Sequence, residues 1–232
     1  MANFLRLLLG VALLPMCWGV ACAFVDVLLM AAGESGWLSA ETLSLLGGMA
    51  LFALTWVALP HPVKTYVFGH ELTHALWGLL FGACPSKLKV GASGGSVRLS
   101  KSNLLITLAP YFFPFYTTVV IVAGMVTYAF VRPLPWLPAW LFFVGLTWAF
   151  HILFTLETLT QRQPDVTLYG RVFSWAFIFL GNLVFVLLCL ALLTPVTFAD
   201  VGGKLVYCII SAYSWVVHAA GATVNWIIGY VS

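Results

Sequence analysis

The chain has 232 residues, of which 62% are hydrophobic and only 7% are charged. Soluble domains carry about a quarter charged residues, so this composition excludes a large soluble domain and predicts an integral multi-pass membrane protein. The net charge of +3 is small and spread along the chain, which gives no indication of nucleic-acid binding. The five cysteines are scattered and form no C-x-x-C pair, so neither a disulfide framework nor a thiolate metal site is predicted.

Two apolar segments open the chain, at residues 4–32 and 41–59. The first begins like a cleavable signal peptide, with a basic residue, a run of leucines and an Ala-Cys-Ala sequence. Its apolar character continues to Met30, which is long enough to cross a bilayer, so we expect a retained transmembrane helix. The sequence Pro-His-Pro at 60–62 ends the second segment and opens the next helix, since proline suits a first helical turn.

The third apolar segment, residues 66–81, contains His70, Glu71 and His74 in its middle. Ionisable side chains at membrane depth cost about 2–3 kcal/mol each on insertion scales and by default mark a functional site. On a helix the two histidines lie one turn apart on the same face, where both imidazoles can bind one zinc ion. Glu71 lies roughly 100° around the helix and can reach a metal-bound water without binding the metal itself. The pattern predicts an H-E-x-x-H zinc site within the lipid layer.

Residues 85–103 interrupt the apolar pattern with alternating polar and apolar residues around a glycine-rich centre. Residues 87–90 and 96–100 are predicted to form two short strands joined by a turn at 91–95; a plain basic loop is the alternative. An exposed strand edge can bind an extended peptide through main-chain hydrogen bonds. At bilayer depth such backbone is tolerated only when it is buried in protein or lines a wet cavity.

Four further apolar segments follow, at residues 104–131, 139–161, 172–193 and 205–231. Pro110 and Pro114 interrupt the first of them and are expected to kink it. The pattern as a whole predicts an all-α polytopic membrane protein with about six to seven transmembrane helices and a small β-hairpin after the H-E-x-x-H helix.

The distribution of basic residues predicts an orientation. Six of the ten lysines and arginines lie on the side of the hairpin and of Asp165, and four lie on the opposite side. Because cytoplasmic loops carry the excess of positive charge, we expect the active site to face the cytoplasm, with the protein in the cytoplasmic (inner) membrane.

A catalytic zinc site needs a third protein ligand, with a fourth position left for water. Three later residues are candidates, namely Asp165, Glu157 and His151. Asp165 follows Pro164, where a helix end can turn a carboxylate inward, whereas Glu157 lies deep in an apolar run. His151 and Glu157 are six residues apart, on different helix faces, and do not easily bind the same ion. The residues themselves leave the choice of third ligand open.

H-E-L-T-H within an apolar helix, a glycine-rich basic segment, a proline-kinked span and an aspartate at a later helix break together resemble the site-2 protease family of intramembrane zinc metalloproteases. The resemblance covers about residues 63–171 and implies a metalloprotease core there, between N-terminal helices at 1–62 and C-terminal helices at 172–232. The family commonly has Asn-x-x-Pro before Leu-Asp-Gly. This chain has Gln-x-Gln-Pro-Asp at 161–165, so Gln161 or Gln163 would replace the asparagine.

Carried over by position, the resemblance implies a Zn2+ cofactor bound by His70, His74 and Asp165, with Glu71 as the general base. It also implies that the hairpin pairs with the substrate. The hairpin residues expected to bind substrate are Val90, Gly94, Gly95, Ser96 and Val97.

The implied function is hydrolysis of peptide bonds in or near transmembrane segments by a zinc-activated water. The expected partners are a membrane-protein or membrane-proximal peptide substrate and the lipid bilayer, with no nucleic acid. Three alternatives remain open. They are a metal-ion transporter with a His/Glu-lined path, a different membrane zinc peptidase with Glu157 as third ligand, and a catalytically silent relative acting as a chaperone or scaffold.

Overall fold

The computed structural model describes residues 2–91, 94–133 and 136–231, and these are mostly helical. The elements are α1 (Ala2–Ser35), α2 (Ala40–Ala58), α3 (Val63–Leu80), β1 (Pro85–Gly91), β2 (Gly94–Leu99), α4 (Leu104–Phe112), α5 (Phe115–Phe130), α6 (Leu137–Thr160), α7 (Pro164–Tyr169), α8 (Arg171–Leu193) and α9 (Phe198–Val231). Strands β1 and β2 pair in antiparallel orientation. The predicted helical architecture with one small hairpin is confirmed, although Ala92 and Ser93 of the predicted turn lie outside the described residues.

Within the described ranges, five helices are long and apolar enough to cross a membrane, namely α1, α2, α6, α8 and α9. Helices α4 and α5 are bent by 76° at their junction and make a sixth span if they are counted together. The segment 104–131, expected as one kinked span, is therefore broken in two, because Pro114 at the break has no N–H to continue the helix. Helix α3, which carries the H-E-x-x-H sequence, does not meet these criteria of length and composition.

The chain divides into two compact units, Met1–Ser35 with Gly170–Ser232 and the intervening Gly36–Tyr169. The first unit contains α1, α8 and α9, and the second contains all the other elements. Helix α2, which the sequence grouped with the N-terminal helices, packs along α6 in the second unit. The functional boundaries at residues 63 and 171 stay predictions, since a structural division does not test them.

In the first unit, α1 packs along both α8 and α9. Its core includes Val20, Val27 and Leu187. Lys204 Nζ of α9 lies 2.9 Å from Asp26 Oδ2 of α1. This ion pair offsets part of the cost of placing these two charges on largely apolar helices.

In the second unit, α2 and α6 approach each other at two glycines. A Cβ on Gly48 would clash with the carbonyl oxygen of Phe142, and a Cβ on Gly145 would clash with that of Leu45. Small residues allow membrane helices to pack this closely. The close contact between α2 and α6 therefore depends on the absence of side chains at these two positions.

We expect Gly145→Val to lower the thermal unfolding midpoint of the detergent-solubilised protein, because forcing extra atoms into a packed contact costs about 1–3 kcal/mol or more. Gly47→Val is the matched control. A Cβ there meets only ring atoms of Phe142, at 3.9 Å or more, so the midpoint should change little. Equal shifts in the two variants would show that the α2–α6 contact does not require the glycine.

Candidate metal centre

Helix α3 brings its two histidines together on the face that points into the second unit. The imidazole centroids of His70 and His74 are 4.9 Å apart, as expected for residues separated by about one helical turn. Each side chain is only 12% exposed. Tyr66, one turn before His70, stacks on Phe154 of α6 with 4.6 Å between ring centroids, which fixes this face of α3 against α6.

Asp165 reaches the histidines from the start of the short helix α7. Helix α6 ends at Thr160, the chain becomes extended at Gln161, and α7 begins at Pro164. Asp165 Oδ2 lies 3.5 Å from His74 Nε2 and 3.8 Å from His70 Nε2. The sequence had left this ligand open between three candidates, and the structure places Asp165 at the imidazole pair.

The three donors fit a zinc ion. One ligand atom from each of His70, His74 and Asp165 lies within 4.8 Å of the other two. In a tetrahedral site with bonds of about 2.0–2.1 Å, neighbouring donors are about 3.3 Å apart, so the two histidine–carboxylate distances are close to those required. Two imidazoles and one carboxylate are also a donor set that catalytic zinc sites use, with the fourth position open. Within the described ranges, this is the one group of His, Cys, Asp and Glu with such spacing.

Each of the three donor side chains also has a polar partner of its own. His74 Nδ1 lies 2.8 Å from the carbonyl oxygen of Ile106, and a carbonyl can only accept, so the proton must be on Nδ1 and Nε2 is free to bind metal. His70 Nδ1 lies 3.3 Å from the Tyr66 hydroxyl, and the Tyr111 hydroxyl donates to Asp165 Oδ2 at 3.3 Å. Such partners orient metal ligands and fix the imidazole tautomer.

The charge state of Asp165 also suits a metal ligand. Burial raises the pKa of the Asp165 carboxyl, but the neighbouring imidazoles of His70 and His74 together lower it by more, so the net shift is downward. A carboxyl whose pKa lies below its ordinary value is ionised at neutral pH. The site therefore has a negative charge available to bind a cation.

Glu71 lies beside the donor group without belonging to it. Glu71 as a whole is only 8% exposed, and strand β2 confines its side chain. A Cβ on Gly95 would lie 2.7 Å from Glu71 Cγ, and the main-chain N–H of Val97 faces the Glu71 carboxylate. A carboxylate in this position can exchange a proton with a water at the metal site while the three other groups bind the ion.

A cavity of about 740 Å³ opens onto these groups. Its walls come from α3, from β2, from the end of α6 and from the start of α7. Glu71, both histidines and Asp165 line it, together with Gln161 and Gln163. The cavity is large enough for several residues of an extended peptide.

The hairpin contributes one strand to this cavity. The cavity-lining residues on β2 include Gly94, Gly95, Ser96 and Val97. Val90, the fifth residue expected to bind substrate, is not among the lining residues and pairs with Gly95 across the sheet. The structure thus brings four of the five expected residues to the cavity, whereas Val90 lies on the neighbouring strand.

For a zinc peptidase with this cavity as its active site, we expect Gly95→Ala to reduce peptide cleavage without loss of zinc. The added carbon would lie 2.6 Å from Val67 Cγ1 and 2.7 Å from Glu71 Cγ and would push β2 away from α3. Cleavage and zinc content would both be measured on purified protein. The matched control is Arg98→Ala, which removes an exposed side chain from the same strand. Wild-type cleavage by Gly95→Ala would show that the close packing of β2 on α3 has no part in the reaction.

The other two candidate ligands have different positions. Glu157 Oε2 lies 3.6 Å from His61 Nδ1, and His61 in turn stacks on Trp56. His151 is buried and lines a separate small cavity on the other side of His70. Neither residue belongs to the donor group formed by the H-E-x-x-H histidines.

The residues that orient the ligands are not part of any motif that the sequence shows. Tyr66 was within reach of sequence reasoning, because it precedes His70 by four residues and so shares its face of the helix. Tyr111 and the Ile106 carbonyl gave no comparable indication, since their role depends on how α4 packs against α3.

Comparison with protein-family models, curated proteins and solved structures found no match for this chain. The resemblance to the site-2 proteases therefore stays a prediction from motifs, and the function is inferred from the geometry of the site itself.

Proposed function

We propose that this chain is a membrane-embedded zinc metallopeptidase of the site-2 protease kind, which hydrolyses peptide bonds in or near transmembrane segments. The observation that supports it most is the convergence of His70, His74 and Asp165 within 4.8 Å, beside the buried Glu71. A structural zinc site has four protein ligands. A site with three ligands, an adjacent carboxylate and an open cavity suits catalysis.

His70, His74 and Asp165 would hold the ion, which when bound supplies Lewis acidity and activates a water as the nucleophile near neutral pH. Glu71 would take a proton from the attacking water and return it to the leaving amine as the peptide bond breaks. Its confinement by β2 keeps the carboxylate directed at the cavity. Tyr111 donates to Asp165 and so holds the carboxylate oxygen that faces the histidines.

The substrate would bind as an extended segment along β2. Main-chain groups of a strand edge can pair with a peptide of any sequence, and the glycines at positions 94 and 95 leave the backbone accessible from the cavity. A helical transmembrane substrate would have to unwind locally before it could pair in this way.

The site would lie within the bilayer on the cytoplasmic side of the inner membrane. Five apolar helices, or six with the bent pair, are long enough to span it. We propose that α3 is also embedded and brings the total to six or seven, because its ionisable residues His70, Glu71 and His74 line the cavity rather than facing lipid. Non-helical backbone such as the hairpin is tolerated at this depth when it lines a water-filled cavity.

The test combines metal analysis with a cleavage assay. The purified protein should contain one zinc per chain and should cleave a model transmembrane peptide in detergent or liposomes. A chelator should stop cleavage, and added zinc should restore it. Protein that takes up metal into sealed vesicles but never cleaves peptide would contradict the proposal and favour the transporter alternative.

A further inference from the structure

The carbonyl that orients His74 comes from within a helix. Ile106 lies in the first turn of α4, where the side chain of Asn103 accepts a hydrogen bond from the Ile106 N–H at 2.9 Å. In a regular α-helix the Ile106 carbonyl would accept from the N–H four residues later. Here its oxygen lies 2.8 Å from His74 Nδ1 of another helix instead.

The sequence explains why this carbonyl is available. The residue four positions after Ile106 is Pro110, which lies inside α4 and has no N–H to donate. Ile106 is only 1% exposed, so water has little access to its carbonyl. A buried carbonyl without a donor costs free energy, and the Nδ1–H of His74 supplies the missing donor.

We propose that Pro110 is a positioning residue for the metal centre, because by withholding an N–H it reserves the Ile106 carbonyl for His74. The imidazole is then held with a proton on Nδ1, so that Nε2, 3.5 Å from Asp165 Oδ2, is the nitrogen left to bind a metal. This inference rests on the proposed zinc function for its purpose, whereas the hydrogen-bond arrangement is observed directly in the contact between His74 Nδ1 and the Ile106 carbonyl.

The proposal has a consequence for substitutions of the proline. Alanine at position 110 would give α4 the N–H that it lacks, and this N–H would align the Ile106 carbonyl along the helix axis. His74 would lose its preferred acceptor and could protonate on either nitrogen. Outer partners of metal ligands are commonly worth 10–100-fold in metal affinity, so zinc should bind about tenfold or more weakly.

The experiment compares three forms of the full-length protein that differ at position 110. They are the wild type, Pro110→Ala, and a form in which lactic acid, the ester analogue of alanine, replaces Pro110 by nonsense suppression. The ester has the shape of alanine but, like proline, has no N–H. Zinc affinity would be measured by competition with a chelating dye, and the protonated nitrogen of His74 by solid-state NMR of 15N-histidine-labelled, metal-free protein.

The expected result is that Pro110→Ala loses the Nδ1–H tautomer of His74 and binds zinc about tenfold or more weakly, whereas the ester retains the wild-type values for both. Wild-type values in all three forms would overturn the proposal, as would an equal loss in alanine and ester, since that would assign the effect to the proline ring. If Pro110→Ala does not fold, the ester decides alone: the wild-type tautomer supports the proposal and an altered tautomer overturns it.

The two readouts separate this inference from the proposed function. A wild-type protein that binds no zinc would contradict the metallopeptidase proposal, but the tautomer of His74 would still report whether Pro110 controls the ring. Conversely, wild-type zinc binding that is insensitive to the N–H at position 110 would leave the metal site in place and remove Pro110 from it. Pro138→Ala, at the start of α6 and outside the cavity, is the control for removing a proline elsewhere.

Discussion

Glu71→Gln is expected to retain zinc and to lower peptide cleavage by about 100-fold or more, within the range that a general base contributes. The amide keeps the size and shape of the carboxylate but cannot take a proton from water. Zinc should remain because the donor group consists of His70, His74 and Asp165. The isosteric change also fits the narrow space left between α3 and β2 at Gly95.

The measurement is the rate of cleavage of one model transmembrane peptide, with zinc content determined on the same preparation. Glu157→Gln is the matched control, since it makes the same chemical change at another carboxylate of the cavity wall and should keep measurable cleavage. Undiminished turnover by Glu71→Gln would refute its role as the base. Loss of zinc together with activity would instead show that Glu71 supports the metal site.

The H-E-x-x-H part of the site could be predicted because it depends on a single helix. The period of the α-helix alone puts His70 and His74 on one face and Glu71 on the neighbouring one. The hairpin was predictable for a similar reason, since alternation of polar and apolar residues around glycines is a local pattern. Both features require no knowledge of which helices pack together.

Asp165 could not be fixed by the same reasoning. It lies far along the chain from the histidines, on a helix of six residues, α7, whose position depends on the extended segment after α6. Nothing in the sequence decides between it and Glu157, which has an equally suitable carboxylate but is paired with His61 in the folded unit. The family resemblance favoured Asp165 through its position after a proline.

The grouping of helices was also beyond the sequence. Helix α2 packs along α6 through Gly48 and Gly145, and its place in the chain gave no indication of that neighbour. Apolar membrane helices resemble one another in composition, so the choice of neighbour depends on small residues that permit close approach. The break at Pro114 similarly turned one expected span into two helices.

The second large effect is expected from Asp165→Asn, which should bind zinc at least about 100-fold more weakly than the wild type. Loss of an outer partner of a metal ligand commonly lowers metal affinity about 10–100-fold, and loss of a ligand itself should lower it by more. The amide oxygen has no net charge, whereas the Asp165 carboxylate is ionised because its pKa lies below the ordinary range. Asparagine is nearly the same size, so the fold of α7 should survive. Circular dichroism and the thermal unfolding midpoint would verify this.

Zinc per chain after dialysis against a weak chelator decides between the two candidate carboxylates. If Asp165 is the ligand, Asp165→Asn loses the metal and Glu157→Gln keeps it, because Glu157 contacts His61 rather than the imidazole pair. The reverse pattern would move the third ligand to Glu157 and require α7 to leave the site on metal binding.

Since the hydrogen bond from Tyr111 orients the Asp165 oxygen, the zinc affinity of Tyr111→Phe should fall between that of the wild type and that of Asp165→Asn, with zinc retained at reduced affinity.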